Sequence, residues 1–577
     1  VPIRLRTPIR LHVPLRLHAP DDLRAPAHVH PPRAQPRRHS HRSLALVLAI
    51  GALAVVLPST AAAGYPARDA GYHDLGEMLA DVRAVHRAHP DIVRVFSIGT
   101  SAKGRNVWAA EISDNVGTDE GEPEVLFDSL HHAREHLTLE QTLFILHLLA
   151  DRYGGPGPLG QRVTGIVDSR RIWIVFAVNP DGFAYDLTGG PYGGGHYRGW
   201  RKNRQATPGS SAIGTDLNRN YSYAWGCCDG ASKRPSADDY HGPRPWSAPE
   251  VRAMRDFVDS RVIDGRQRIR AHITFHSAAE LVLWPYGYTY QDVPPDMTRR
   301  DHRTFVAMGR HMADTNGYTA KQSSGLYPTL GDQIDWMYAR HRIFSYTFEL
   351  YPSKSKDSTF RRFYPPDELI ERETRRNREA VLYLMEQADC PYRAIGMEVD
   401  WCGPFADDLE IGRGWRTDPD GDDPATAGAW ARGIPDADRP FQLPDAASGQ
   451  AVLVTGRAQG TDVDGGRTTV RSTAFMLPAE ATAELRFRYW VGLDAAAGQA
   501  DGLRVRLVDA ETGELLWRAL RIDGDGTDQA AEWRSAAIPI PGELAGRTVA
   551  IELLAVDDPS ADATVEAAVD DVRVVRP

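Results

Sequence analysis

A chain of 577 residues exceeds what one ordinary core organises, so two or three folded units are expected. The net charge is −10, and because residues 1–43 hold nine arginines against Asp21 and Asp22, the remainder carries about −17. Acidity of that size excludes a nucleic-acid partner, whose binding rests on neutralising phosphates. The four cysteines are too few to staple the fold but fit an oxidising exterior.

In chain order, residues 1–43 begin with the near-repeat VPIRLRTPIRLHVPLRLHAP and read as an N-terminal extension that takes no part in the fold. Residues 44–63, LALVLAIGALAVVLPSTAAA, are an apolar run that follows basic sequence and ends in small residues, the pattern of a secretory signal peptide. An uncleaved anchor is the alternative, against which the apolar part before Pro58 is short for a membrane span. Cleavage after Ala63 leaves no room for a globular activation segment ahead of the first helix.

From Tyr72 helices and strands alternate. YHDLGEMLADVRAVHRAHP has helical apolar spacing, IVRVFSIGT and VWAAEIS read as strands, and LEQTLFILHLLADRYG is a helix ending in glycine. RIWIVFAVNPDG, IRAHITFHS and IFSYTFEL read as buried strands, and SAPEVRAMRDFVDSRV and DELIERETRRNREAVLYLMEQA as helices. This order predicts an α/β domain over 64–390, with a mixed sheet flanked by helices.

A linker over 391–403 leads to 404–577, where short alternating runs such as AELRFRYWV, GLRVRLVD, RTVAIELLAV and VDDVRVV predict an all-β sandwich or jelly roll. Among the three pairings of the four cysteines, Cys390 with Cys402 is favoured because it closes a short loop, and Cys227 with Cys228 stays open. The run DPDGDD, Asp418 to Asp423, and the pair Asp570 and Asp571 have two readings, calcium ligation through oxygen or acidic turns in solvent. Trp430 and Trp490 are unplaced by pattern, and an exposed aromatic face would favour glycan binding.

The chemistry concentrates at strand ends. SLHHAREHLT follows the apolar run EVLF and sets His132 and Glu135 three apart, where loops at strand ends gather ligands. H-x-x-E alone is weak. However, ITFHS places His276, and YTFEL places Glu349, inside apolar runs where a buried strand should hold no charge. A His/Glu/His set leaves a fourth zinc position for water, and activating that water requires an unligated carboxylate.

Taken together, HHARE, GWRKNR, GTDLNRNY, FHSAAELVLWPYGY, LYPTLGDQIDW and FSYTFEL resemble the zinc metallocarboxypeptidases of the carboxypeptidase A and T type, in particular secreted actinobacterial members. The resemblance spans Tyr72 to Ala388. It implies one zinc held by His132, Glu135 and His276, Asp216 orienting His132, Glu349 as the base, and Arg201 facing the developing oxyanion. Asn218 and Arg219 then grip a terminal carboxylate, Tyr327 closes over it, and Arg134 reaches the next subsite. His131 matches no ligand position and is expected to flank the site, facing solvent or supporting a ligand. For Asp216 the alternative is a turn-capping aspartate.

Ile334 falls where members that cut basic residues carry Asp, which implies apolar or aromatic C-terminal side chains, with Asp332 nearby as a rival attraction for a cation. The expectation is therefore a secreted, monomeric zinc carboxypeptidase acting on peptides. Its β-domain resembles modules that attach hydrolases to a surface or polymer. A peptidoglycan-directed peptidase and an inactive surface-binding protein are the alternatives.

Overall fold

The structure, a computed structural model, describes residues 64–353, 362–435, 441–457, 461–479, 482–560 and 562–576. The extension 1–43 and the apolar run 44–63 lie outside the described residues. Among the described residues no helix is long and apolar enough to cross a membrane.

The first domain opens with α1, Leu75–Ala88, which the capping box of Asp74 and Glu77 starts and whose Met78, Val82 and Val85 form its buried stripe. In chain order follow β1 (Val93–Thr100), β2 (Asn106–Ile112), β3 (Glu124–Ser129), α2 (Leu137–Arg152), α3 (Gly157–Val167), β4 (Arg171–Val175) and α4 (Pro180–Asp186). After these come α5 (Pro249–Ser260), β5 (Ile269–Ser277), β6 (Leu281–Trp284), α6 (Arg299–Asn316), β7 (Thr319–Gln322), α7 (Gln333–His341), β8 (Phe344–Leu350) and α8 (Arg378–Gln387).

The strands form one eight-stranded mixed sheet in the order β1-β2-β4-β3-β5-β8-β6-β7. β3, β4, β5 and β8 run parallel, so their carboxyl ends open on one edge. Helices cover both faces, as alternation along β3 requires: Phe127 packs in a cluster with Leu139 and Leu146 of α2, and Leu126 in another with Val251 and Met254 of α5. A sheet buried on both sides leaves polar side chains only where partners await them.

Two segments depart from the sequence reading. The run RIWIVFAVNPDG is a strand only to Val175; Pro180 sits in the first turn of α4, and the Asn179 side chain caps that helix by accepting from Gly182 N at 3.0 Å. The single helix read over 367–388 is broken at Asn377, whose amide donates to Gln141 and accepts from Asn316, both buried.

The second domain is a β-sandwich. Its strands are β9 (Phe405–Asp407), β10 (Arg416–Thr417), β11 (Ala431–Gly433), β12 (Val452–Val454), β13 (Gly466–Arg471), β14 (Phe475–Met476), β15 (Ala483–Leu493), β16 (Gly502–Asp509), β17 (Leu515–Asp523), β18 (Arg534–Ile540), β19 (Thr548–Asp557) and β20 (Val565–Val575). One antiparallel sheet runs β11-β12-β20-β15-β18 with β9 against β20; the other runs β10-β13-β19-β16-β17 with β14 against β19. Their inner faces share one core, with Leu485, Phe487 and Val569 from the first and Leu503, Val505 and Ile551 from the second. Trp430 and Trp490 are both buried, so neither contributes to an exposed aromatic face.

Cys390 and Cys402 are bonded, as are Cys227 and Cys228. Beyond the first of these bonds, Arg300 of α6 pairs with Asp408 at 2.6 Å and lies 3.4 Å over the Trp401 ring, joining the catalytic domain to the sandwich.

In the sandwich, burial and then the charge of Asp571 push the Asp570 carboxyl up to about 8. Its native value exceeds the unfolded one, so its contribution is complete below the unfolded value near ~4 and is lost as pH rises toward about 8. Chemical denaturation of Asp570→Asn between pH 4 and 8 is expected to show a shallower loss of sandwich stability with pH than the parent; equal slopes contradict this.

Candidate metal centre

The site is built where β3, β5 and β8 end. At the end of β3 the chain turns through Leu130, a non-glycine residue with φ 56°, and carries His131, His132 and Glu135 over the sheet edge before α2 begins. His276 is the penultimate residue of β5, and Glu349 is its register partner in the parallel neighbour β8. Residues in register in adjacent strands project to the same side, so both address the face of His132.

The ligand atoms of His132, Glu135 and His276 lie within 4.8 Å of one another, all three residues buried. His132 Nδ1 is 2.8 Å from Glu135 Oε1, His276 Nδ1 is 3.0 Å from Glu135 Oε2, and the two Nδ1 atoms are 3.0 Å apart. His132 Nε2 faces Asp216 Oδ1 at 3.1 Å. Burial opposes ionisation of Asp216, but Arg201 and His132 outweigh it and hold the carboxyl well below the usual range. Nε2 is therefore the protonated nitrogen of His132, and Nδ1 presents its lone pair to Glu135 and His276.

Burial also opposes ionisation of Glu135, and His132 and His276 pull its carboxyl well below the ordinary value. Burial lowers His276 to about 4 despite Glu135, so its imidazole is neutral. Two imidazoles and one carboxylate converging on one point are the donor set that zinc accepts, and the residues present fit the metal.

Around this centre the remaining expected residues are placed as follows. Asp216 fulfils both of its readings: Oδ1 also accepts from Asn218 N at 3.1 Å, capping the short turn 217–219, while Oδ2 accepts from Arg201 Nε at 3.0 Å. Arg201 Nη1 lies 3.9 Å from Glu135 Oε1, which brings its guanidinium to the rim of the donor set. Asn218 Nδ2 is 3.4 Å from His276 Nε2, and its Oδ1 accepts from Gln333 N at 2.9 Å.

Arg219 is anchored by the carbonyls of Asn218 and Gly230 and has no acid partner among the described residues. Its guanidinium carbon is 5.9 Å from the ring centre of Tyr327, which is 47% exposed. Arg134 reaches Asp238 at 3.1 Å and stacks on Phe363, farther out. Ile334 is buried in α7.

Glu349 is half-buried and accepts no hydrogen bond from any described residue. Burial and then the charge of Glu135 push it up to about 7, against the pull of His132, Arg201 and Arg362. A carboxyl group poised near neutrality beside a metal site is suited to accept and return a proton.

Beneath the donor set lies a polar layer that the sequence reading missed. Asp128 accepts from His272 Nε2 at 2.8 Å, Thr274 Oγ1 at 2.6 Å and Gln333 Nε2 at 2.6 Å. Burial would raise its carboxyl, but His272 and His131 hold it well below the usual range. His131 is fully buried, bonded to Tyr221 at 2.9 Å, so the solvent-facing reading is corrected to a supporting one. The available signal was the alternation of His272, Thr274 and His276 in HITFHS. Asn179, read as part of a strand, donates to the carbonyls of His131 and Arg201 and so ties the two site loops together.

In the sandwich, Asp418, Asp422 and Asp423 also bring carboxylate oxygens within 4.8 Å of one another. Their charge is met by protein: Arg467 pairs with Asp422 at 2.6 Å, Thr469 N donates to Asp423 at 2.6 Å, and Asp422 N donates to Asp418 at 3.0 Å. A solvated acidic turn accounts for these contacts without calcium.

Comparison with known proteins adds a second line. A family model described as zinc carboxypeptidase matches residues 78–380. A zinc carboxypeptidase of Saccharothrix mutabilis subsp. capreolus is 42% identical over 348 residues, covering 60% of this chain and 76% of that protein. Carboxypeptidase A1 of Mus musculus is 32% identical over 300 residues, covering 52% of this chain and 65% of that protein. The crystal structure of thrombin activatable fibrinolysis inhibitor is similar at 26% identity and a TM-score of 0.48, over 55% of this chain and 74% of that one.

Removing the partner that fixes the His132 tautomer is expected to weaken zinc binding: Asp216→Ala should lose about 10–100-fold in affinity, read by competition with a fluorescent chelator. Parent-like affinity in that variant would show that the Asp216–His132 contact does not act on the metal.

Proposed function

Because the chain belongs to the zinc carboxypeptidase family, we propose that it removes C-terminal residues from peptides and proteins outside the cell, preferring apolar or aromatic ends. The observation that carries the reaction is Glu349, a carboxyl group without a hydrogen bond among the described residues, in register with His276 and beside the His132, Glu135 and His276 donor set.

When bound by those three residues, zinc supplies a Lewis acid that polarises a carbonyl and makes water more acidic. Glu349 takes a proton from the attacking water as its oxygen adds to the scissile carbonyl carbon. It then delivers that proton to the amine as the C–N bond breaks, leaving a new carboxylate and a free amino acid. Arg201, held against Asp216, faces the oxygen on which negative charge develops. Arg219, with no acid of its own, and Asn218 receive the terminal carboxylate, and Tyr327 closes over it.

This clamp supports an exopeptidase acting on free α-carboxylates over a peptidoglycan-directed enzyme. The apolar preference is supported by Ile334 and by the state of its neighbour Asp332. That carboxylate caps α7 by accepting from Asp335 N at 3.0 Å and also accepts from Thr329 Oγ1, and burial raises its carboxyl, so it offers a cation little. Secretion is supported by the apolar run 44–63 and by the absence of any free cysteine.

Glu349→Gln is expected to fold, to bind one zinc and to lose about 10²–10⁴-fold in kcat on a blocked dipeptide. Near-parent turnover would remove the base from Glu349. On a panel of blocked dipeptides, C-terminal Phe or Leu should be released faster than Arg or Lys, and amidated ends should resist cleavage. Faster release of the basic residues would overturn the apolar pocket, and cleavage of the amides would overturn the clamp.

A further inference from the structure

At the opposite end of β5 from the metal site, the sequence RQRIR sets Arg266, Arg268 and Arg270 two residues apart where the chain enters the strand. Arg270 lies six residues before His276 in that strand, roughly 20 Å away at ~3.3 Å per residue. The three arginines line a cavity of about 590 Å³ whose walls also include Arg413 and Asp408 from the sandwich, Tyr392 from the linker and Phe344 from the catalytic domain. That size suits a small ligand.

Among the described residues none of the three has an ion-pair partner. Arg266 donates to Thr473 Oγ1 at 3.2 Å and lies over the Phe405 ring. Arg268 donates to the Gly121 carbonyl at 3.4 Å, with Nε buried and without an acceptor. The Arg270 side chain makes no hydrogen bond among the described residues. Of the acids that line the cavity, Asp408 is engaged by Arg300 at 2.6 Å and Asp389 by Arg170 at 2.9 Å and Arg393 at 2.7 Å, while Glu122, whose buried Oε2 has no hydrogen-bond partner among the described residues, is one acid against three arginines. Burial and then repulsion from Arg413 push the Arg266 guanidinium down to about 10, and the same two causes lower Arg270. A guanidinium does not escape such a site by losing its proton, so the cluster holds positive charge that the protein leaves unmatched.

We propose that this cavity binds a compact multivalent oxyanion of the phosphate type, held by Arg266, Arg268 and Arg270 with Arg413 opposite. Because both domains line the cavity, its occupation fastens the sandwich to the catalytic domain. The phosphate comes from one of two sources, free orthophosphate or a phosphate chain.

The test is isothermal titration of the zinc-loaded full chain with sodium phosphate and with sodium tripolyphosphate, beside thermal melts in each salt and in sodium chloride at equal ionic strength. Binding of one anion per chain is expected, with a melting temperature at least about 3 °C above chloride at saturation. Arg270→Gln and Arg268→Gln should each weaken binding at least tenfold while keeping parent peptidase activity, which certifies that they fold. Orthophosphate binding identifies the free ion, and binding of tripolyphosphate alone identifies a phosphate chain; either supports the site. Absence of binding by both overturns it. So does unchanged affinity in both variants, which would place the anion elsewhere, as at Arg219.

Discussion

The approach of two imidazole nitrogens to one buried carboxylate, His132 and His276 on Glu135, is the contact on which the rest of the catalytic domain depends. A carboxylate removed from water costs several kcal/mol unless charge or hydrogen bonds meet it. Three such groups sit within this edge of the sheet, and each has its own answer. Glu135 has the two histidines, Asp216 has Arg201 and His132, and Asp128 has His272, Thr274 and Gln333. Acids and bases thus alternate from the sheet to the rim, and a divalent cation completes the series at the one point where two lone pairs and a negative charge meet.

That polar layer also explains why the substrate-facing groups hold their places without a regular element beneath them. Gln333 joins Asp128 to the first turn of α7 through its side chain and donates its backbone N–H to Asn218 Oδ1. Asn218 in turn belongs to the short turn that Asp216 caps and that carries Arg219. A shift of the donor set would therefore propagate along hydrogen bonds to the carboxylate clamp, whereas Tyr327, exposed and outside this network, can move by itself. The sandwich meets the other end of β5, where Arg266 donates to Thr473.

How much was legible in the sequence differs from residue to residue for physical reasons. His276 and Glu349 were visible because a charged or ligating side chain inside an apolar strand is an anomaly that only a partner or a metal removes. Arg201, Asp216, Asn218, Arg219 and Tyr327 lie in loops without period, and only their resemblance to known motifs singled them out. Asp128 and His272 went unread because each, taken alone, is one polar residue in a strand, and their contact joins positions 144 apart.

The longer elements were legible from period and capping, as with Asp74 at α1. Their ends were not. The apolar run after Arg171 continued past the strand, and only Pro180 marked the turn into a helix. The break at Asn377 arises from tertiary bonds to Gln141 and Asn316 that no local pattern contains. Trp490 was unplaceable because a strand in a sandwich has two faces, and pairing decides which is inside; Trp430 lies just ahead of β11, where no alternation applies.

The central claim is that His132, Glu135 and His276 close on a single zinc ion. X-ray absorption at the zinc edge of the purified protein tests it most directly. One zinc per chain is expected, with nitrogen and oxygen neighbours at about 2.0–2.2 Å, two of them imidazoles. Sulfur neighbours, a first shell without imidazole, or no bound zinc at all would contradict it.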